Sequence, residues 1–216
     1  SIVSPSTRNG VTGLRPSFGT VSRSGAMALS WTMDKLGPMT RSVEGAAIIF
    51  ETIRGSDNID RTVRDVPFIY PSKRGLKNLR IGYIASAFVD SSVSENDKAS
   101  LDVLKSMGLN LIPIELPKFP TQALSFVLQA EAAAAFDVLT RSNKDDQLVR
   151  QVKSAWPNVF REARFIPAVE YINANRARTL LNQKMSELME KIDVYIIPSF
   201  YGDNLLRTNL TGHPCV

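Results

Sequence analysis

The chain has 216 residues, 44% hydrophobic and 22% charged, enough to bury the core of one domain or most of a larger one, and unlike a disordered chain. Its net charge is +5, from 26 basic and 21 acidic residues. The densest basic stretches, Arg61 to Arg64 and Lys73 to Lys77, are interrupted by acids or apolar residues, so a solvated surface is expected and no nucleic-acid partner.

The first forty residues are rich in Gly, Ser, Thr and Pro, with β-type pieces at Gly10–Leu14 and Thr20–Ser22. The interleaved Val11, Leu14, Phe18, Val21 and Met27 argue against a flexible linker and for strands and tight loops packed closely. After Gly37-Pro38, the spacing of Val43, Ala46, Ala47, Phe50 and Ile53 predicts a helix with Ser42 as N-cap. Gly45 stands where a Glu or Gln would complete the capping box, weakening the first turn by on the order of 1 kcal/mol.

Residues 55 to 75 read as a long surface connection. A β-α-β unit follows, with a strand at Leu79–Ile84, a helix at Ser94–Met107 ended by Gly108, and a strand at Leu109–Ile114. The apolar positions of that helix include Ala99, Val103 and Met107. Such a unit favours parallel pairing in a helix-covered sheet. Helices are expected over 121–139 and from Pro167 to Glu190, then a short apolar strand at Val194–Ile197. That run is among the longest apolar runs and falls far below the roughly 20 residues of a membrane helix.

There is one cysteine, Cys215, and one histidine, His213. An internal disulfide is excluded and no cysteine cluster exists for zinc. A Cys–His catalytic pair lacks an obvious third group to orient it, and His213, between Gly212 and Pro214, reads first as a loop residue bonded to backbone. Both ends read as cuts within a longer polypeptide: Ser1 is not an initiator Met, no targeting segment follows it, and the chain stops in a turn. The compartment stays open.

Composition and spacing alone stop at a soluble α/β domain. Four motifs go further: Ser1-Ile2-Val3-Ser4-Pro5, Gly10-Val11-Thr12-Gly13-Leu14-Arg15-Pro16-Ser17, Val21-Ser22-Arg23-Ser24-Gly25 and Asp34-Lys35-Leu36-Gly37-Pro38-Met39-Thr40-Arg41-Ser42-Val43. In this order they resemble the amidase signature family over about 45 residues. Weaker likenesses are Asp193–Pro198, similar to a late core strand, and Asn209–Pro214, similar to a loop near the pocket. Two departures stand out: Val3 where many members carry arginine, and Gly45 where aspartate is usual.

The resemblance implies an α/β/α fold with a central mixed β-sheet covered by helices, and residues 1–216 as the C-terminal portion of a single amidase domain. It implies a Ser–cis-Ser–Lys mechanism with Ser1 as the nucleophile, no metal or organic cofactor, and a small-molecule amide as substrate. The lysine and the second serine belong to the family's preceding half, so the chain alone is expected to be inactive. Two rivals stay open: the glutaminase subunit of a tRNA-dependent amidotransferase, and a non-catalytic relative. Ser1 has other readings as well, an arbitrary cut or an N-terminal nucleophile using its own α-amine. Asp34 either shapes the pocket or holds its loop, the latter being the first reading, and Arg15 and Arg23 read as ion-paired scaffold. Specificity is expected from segments 88–92, 117–125 and 198–208, and oligomeric state is open.

Overall fold

The computed structural model describes residues 2–71, 74–90 and 93–216. The N-terminal portion opens with a helix, α1 (Val3–Asn9), followed by a two-stranded antiparallel ribbon of β1 (Thr12–Gly13) and β2 (Met39–Thr40). Helix α1 is a departure from the expected strands and loops. It is held by burial of Val3, not by propensity, since Ser, Thr, Asn and Pro are poor helix formers. Two glycines permit the tight packing. A Cβ on Gly13 would come 2.1 Å from Ser6 Oγ, and one on Gly37 would come 2.1 Å from the Leu14 carbonyl.

Helix α2 (Val43–Ile53) starts where expected, with Ser42 Oγ accepting from the Gly45 N–H at 3.0 Å. Ala46, Ala47 and Phe50 are buried, whereas Val43, Ile48, Ile49 and Ile53 are exposed, so only part of the expected stripe faces inward. The following connection is stitched by side chains. Asp57 accepts from the Ile59 and Asp60 amides at 2.9 and 3.0 Å, and Asp60 pairs with Arg23 at 2.9 Å. Arg61, Arg64, Arg74 and Lys77 of the basic stretches are exposed, and Lys73 lies outside the described residues.

The α/β portion contains β3 (Ile81–Ile84), α3 (Ala85–Val89), α4 (Glu95–Ser106) and β4 (Leu111–Ile114). Strands β3 and β4 pair in parallel with Ile81 opposite Leu111, as the β-α-β reading requires. Gly108, at φ +73°, turns the chain out of α4. Not every apolar position of α4 faces inward. Leu101 is buried, while Val103 and Met107 are exposed, because Leu101 meets Ile84, Ala87 and Phe88 in a core beside the sheet.

The expected 121–139 helix is broken into a 3-10 turn at Thr121–Leu124, α5 (Phe126–Ala135) and α6 (Asp137–Arg141), with a kink at Phe136. Next come α7 (Trp156–Ala163), the long α8 (Ala168–Met189) and β5 (Val194–Ile196), the last adding to the sheet in parallel to give the order β4-β3-β5. Helix α9 (Asn204–Thr211) closes the chain, so Asn209–Thr211, expected in a loop, form its last turn. The main core unites Met33, Val127, Leu181, Met185 and Leu210, from the N-terminal loop and helices α5, α8 and α9. The fold is α/β; among the described residues, the parallel and antiparallel pairings lie in separate sheets. No described helix is long and apolar enough to cross a membrane.

Candidate active site

Open α/β sheets present their ligand sites beyond the carboxyl ends of the strands. At that end of β5 lies a cleft of about 510 Å³, walled by Ser199, Phe200 and Tyr201, by Val93 and Asp97 at the start of α4, and by Thr7 of α1. A second cleft of about 290 Å³ shares Thr7 and Ser199 and is bounded by Val3, Ser6 and Thr12. Thr7 Oγ1 is 3.0 Å from Ser199 Oγ and 3.0 Å from the Val3 carbonyl oxygen, and the Arg8 guanidinium sits 5.8 Å from the centre of the Phe200 ring. Helix α1 is thereby tied to the strand end that forms the cleft. Hydroxyls, one carboxylate and two aromatic rings suit a small polar molecule with an apolar part.

Of the three expected specificity segments, the structure brings residues 198–201 of 198–208 to this cleft, next to Val93, one residue beyond 88–92. Ser91 and Ser92 lie outside the described residues. Segment 117–125 reaches α9 instead, where the Pro117 carbonyl accepts from Arg207 Nη1 at 2.9 Å.

The loop carrying Asp34-Lys35-Leu36-Gly37-Pro38-Met39 is held by a polar clamp. Asp34 Oδ2 accepts from the Leu29 and Ser30 amides at 2.8 and 2.9 Å, which is the loop-holding role. Glu131 of α5, 4% exposed, accepts from Ser30 Oγ, from Thr32 Oγ1 at 2.7 Å, from the Thr32 amide at 3.2 Å and from Tyr171 Oη at 2.8 Å. Burial pushes its carboxyl upward, but these donors outweigh burial and hold it below the usual glutamate value.

Three buried or part-buried cations converge on the C-terminal end of α9. Arg178 of α8 donates through Nε to the Leu210 carbonyl and through Nη1 to Thr32 Oγ1 at 2.6 Å. Lys35 Nζ donates to the Met33 and Asn209 carbonyls at 2.8 and 3.3 Å. Arg15, 4% exposed, donates through Nη2 to Thr208 Oγ1 at 2.6 Å and to the His213 carbonyl at 3.5 Å. For Arg178 and Lys35, helix-end carbonyls with their partial negative charge thus stand in for carboxylate partners. The cost falls on Lys35, whose pKa is lowered to about 7 by burial first and then by Arg15 and Arg178. A neutral amine keeps two N–H donors, enough for both carbonyls.

Comparison with known proteins agrees with this architecture. The Amidase family model matches residues 1–210. The chain belongs to the amidase family. It is 30% identical over 210 residues to an amidase of Pseudomonas putida, covering 92% of this chain and 44% of that one. It is 26% identical over 243 residues to a glutamyl-tRNA(Gln) amidotransferase subunit of Prochlorococcus marinus (strain AS9601), covering 99% and 50%. Among solved structures, a peptide amidase from Stenotrophomonas maltophilia superposes with a TM-score of 0.74 over 99% of this chain and 52% of that one, at 22% identity. The chain spans about half the length of the relatives it matches.

Within this amidase-family fold the nucleophile candidate, Ser1, lies outside the described residues. Its neighbour Ile2 is buried and in the N-cap position of α1, and Val3 is buried at the wall of the smaller cleft. Arg23 is ion-paired as expected, with Asp60. Arg15 has no ion pair among the described residues; its partners are the Thr208 hydroxyl and the His213 carbonyl. His213 Nδ1 lies 2.8 Å from Thr211 Oγ1, a side chain where backbone was expected. Burial, then Arg15, lowers its pKa. Cys215 does not pair with it. The thiol contacts the Val216 carbonyl at 3.8 Å, and burial raises its pKa, the opposite of what an attacking thiolate needs. Glu131, Lys35 and Arg178 are residues that the sequence reading missed. Local signals exist for Lys35, which lies in the Asp34–Met39 motif, and for Glu131, a lone carboxylate inside the Ala-rich run Ala130 to Ala135.

Proposed function

We propose that residues 1–216 are the C-terminal, nucleophile-bearing portion of a single amidase domain, which hydrolyses a linear carboxylic amide to an acid and ammonia or an amine. The observation that carries this reading is the family match over residues 1–210, joined to a cleft bordered by the helix that starts two residues after Ser1. In the reaction, Ser1 Oγ attacks the amide carbonyl as its proton passes through a second serine to a neutral lysine. The tetrahedral oxyanion collapses and expels the amine, which takes up that proton, leaving an acyl-serine ester. Water, deprotonated by the same relay, attacks the ester to release the acid and restore Ser1. Backbone N–H donors that hold such an oxyanion are each worth about 10²–10³ in rate.

The relay lysine and serine belong, in this reading, to the other half of the domain. Among the described residues, Lys35 is engaged by the Met33 and Asn209 carbonyls and by no serine hydroxyl. The exposed Val43, Ile48, Ile49 and Ile53 of α2 support the division, for a helix apolar on nearly all sides is normally buried. A second reading, the glutaminase subunit of an amidotransferase, is supported by the Prochlorococcus relative matched along 99% of the chain. Mass spectrometry of the full-length gene product quenched during turnover of simple amides tests the first. An acyl adduct on the peptide containing Ser1 is expected, and an adduct elsewhere would overturn the assignment. Release of ammonia from glutamine only in the presence of a partner subunit would favour the second.

A further inference from the structure

Helix α8 has two apolar faces. Ala174, Leu181 and Met185 are buried in the main core. On the other side Val169, Ile172 and Leu180 are 64%, 58% and 55% exposed, and Phe165, in the turn before the helix, is 86% exposed. Positions 169, 172, 176 and 180 share one face of a 3.6-residue helix, so these side chains and Arg176 form a continuous stripe.

The two ends of the stripe differ in charge. At the N-terminal end, Phe165, Ile166, Pro167 and Phe126 line an apolar groove of about 370 Å³ whose rim carries Glu162 and Glu170. Neither carboxylate has an ion-pair partner among the described residues. Their neighbours Arg161 and Arg164 are already engaged by Asp145, Asp146 and Asp137. Toward the other end lies Arg176, exposed and bonded to Asn173 Oδ1 at 3.3 Å, with no carboxylate paired to it among the described residues. An acid-rimmed groove at one end, an exposed cation toward the other and apolar side chains between them make a surface complementary to itself when reversed.

We propose that this stripe is a homodimer interface, in which α8 of one copy lies antiparallel to α8 of a second copy about a twofold axis between Val169 and Ile172. Each Arg176 then reaches the partner copy's Phe165 ring and acidic rim, and each Phe165 is covered. A parallel arrangement would set acid against acid and Arg176 against Arg176, so the charges select the antiparallel one. The apolar centre supplies affinity and the charged ends supply register.

Sedimentation equilibrium of the full-length protein, up to about 100 μM, is the test. A concentration-dependent dimer is expected. Ile172→Glu should weaken it by about tenfold or more, and Arg176→Glu by a smaller factor. Both positions are exposed, so an unchanged thermal melt of the diluted monomer checks that each variant folds. Arg176→Glu combined with Glu162→Lys and Glu170→Lys should restore association, which a structural defect would not do. A protein monomeric throughout that range, a dimer indifferent to Ile172→Glu, or failure of the charge swap to restore pairing would each overturn the proposal.

Discussion

The N-terminal loops and the helices of the α/β portion meet at one surface but are stabilised by different means. Helices α5, α8 and α9 contribute Val127, Leu181, Met185 and Leu210 to a core that needs no hydrogen bonds to hold it. Residues 29–35 place only Met33 there and are otherwise fastened by Asp34, Glu131, Arg178 and Lys35. The first mode is non-directional and insensitive to pH. The second fixes the loop in one geometry and makes its stability depend on protonation. Directional bonds hold a loop with little apolar surface in one shape, whereas the scaffold needs only volume and pattern.

The contrast can be broken at either side. Leu181→Ala, at a site with no exposure, should cost about 2–5 kcal/mol from lost transfer energy and cavity formation. Chemical denaturation at several pH values should show the same loss at each. Glu131→Gln should cost about 2 kcal/mol near neutrality, from weakened bonds to Ser30, Thr32 and Tyr171. Its native pKa is depressed, so the wild-type contribution is present above the unfolded glutamate value and lost as pH falls through the native one. The variant should lack that acid limb; an unchanged acid limb would remove Glu131 from the clamp.

Lys35→Met should show itself in the pH dependence. The Lys35 pKa is lowered from 10.5 to about 7, so between these values the unfolded chain binds more protons than the native one. Wild-type stability should therefore rise with pH across that window, by roughly 3–4 kcal/mol between pH 7 and 10. Denaturation curves from pH 7 to about 10 should show the slope in the wild type and a flatter line in the methionine variant. Equal slopes would mean that Lys35 stays charged at the end of α9.

Much of the scaffold is legible because its signals are local. Ser42 caps α2, Gly108 ends α4, and the long periodic run after Pro167 becomes α8 within a residue of its expected ends. The short helices α1, α7 and α9 are not legible, since seven or eight residues carry little periodicity and α1 is built from poor helix formers. The inward face of α4 is not legible in the sequence because Leu101, Val103 and Met107 are all apolar, and only contact with Ile84 and Phe88 selects Leu101. Most of the clamp lies beyond local reading. Glu131 is 101 residues from Ser30, and Arg178 is 146 from Thr32. Neither pair leaves a pattern in any short window.

The most direct measurement is ammonia release from a panel of small amides by the full-length gene product, beside its Ser1→Ala variant. Release by the wild type that disappears in Ser1→Ala, with folding retained by circular dichroism, is the result predicted here. Activity that survives the substitution would contradict the assignment of Ser1 as nucleophile.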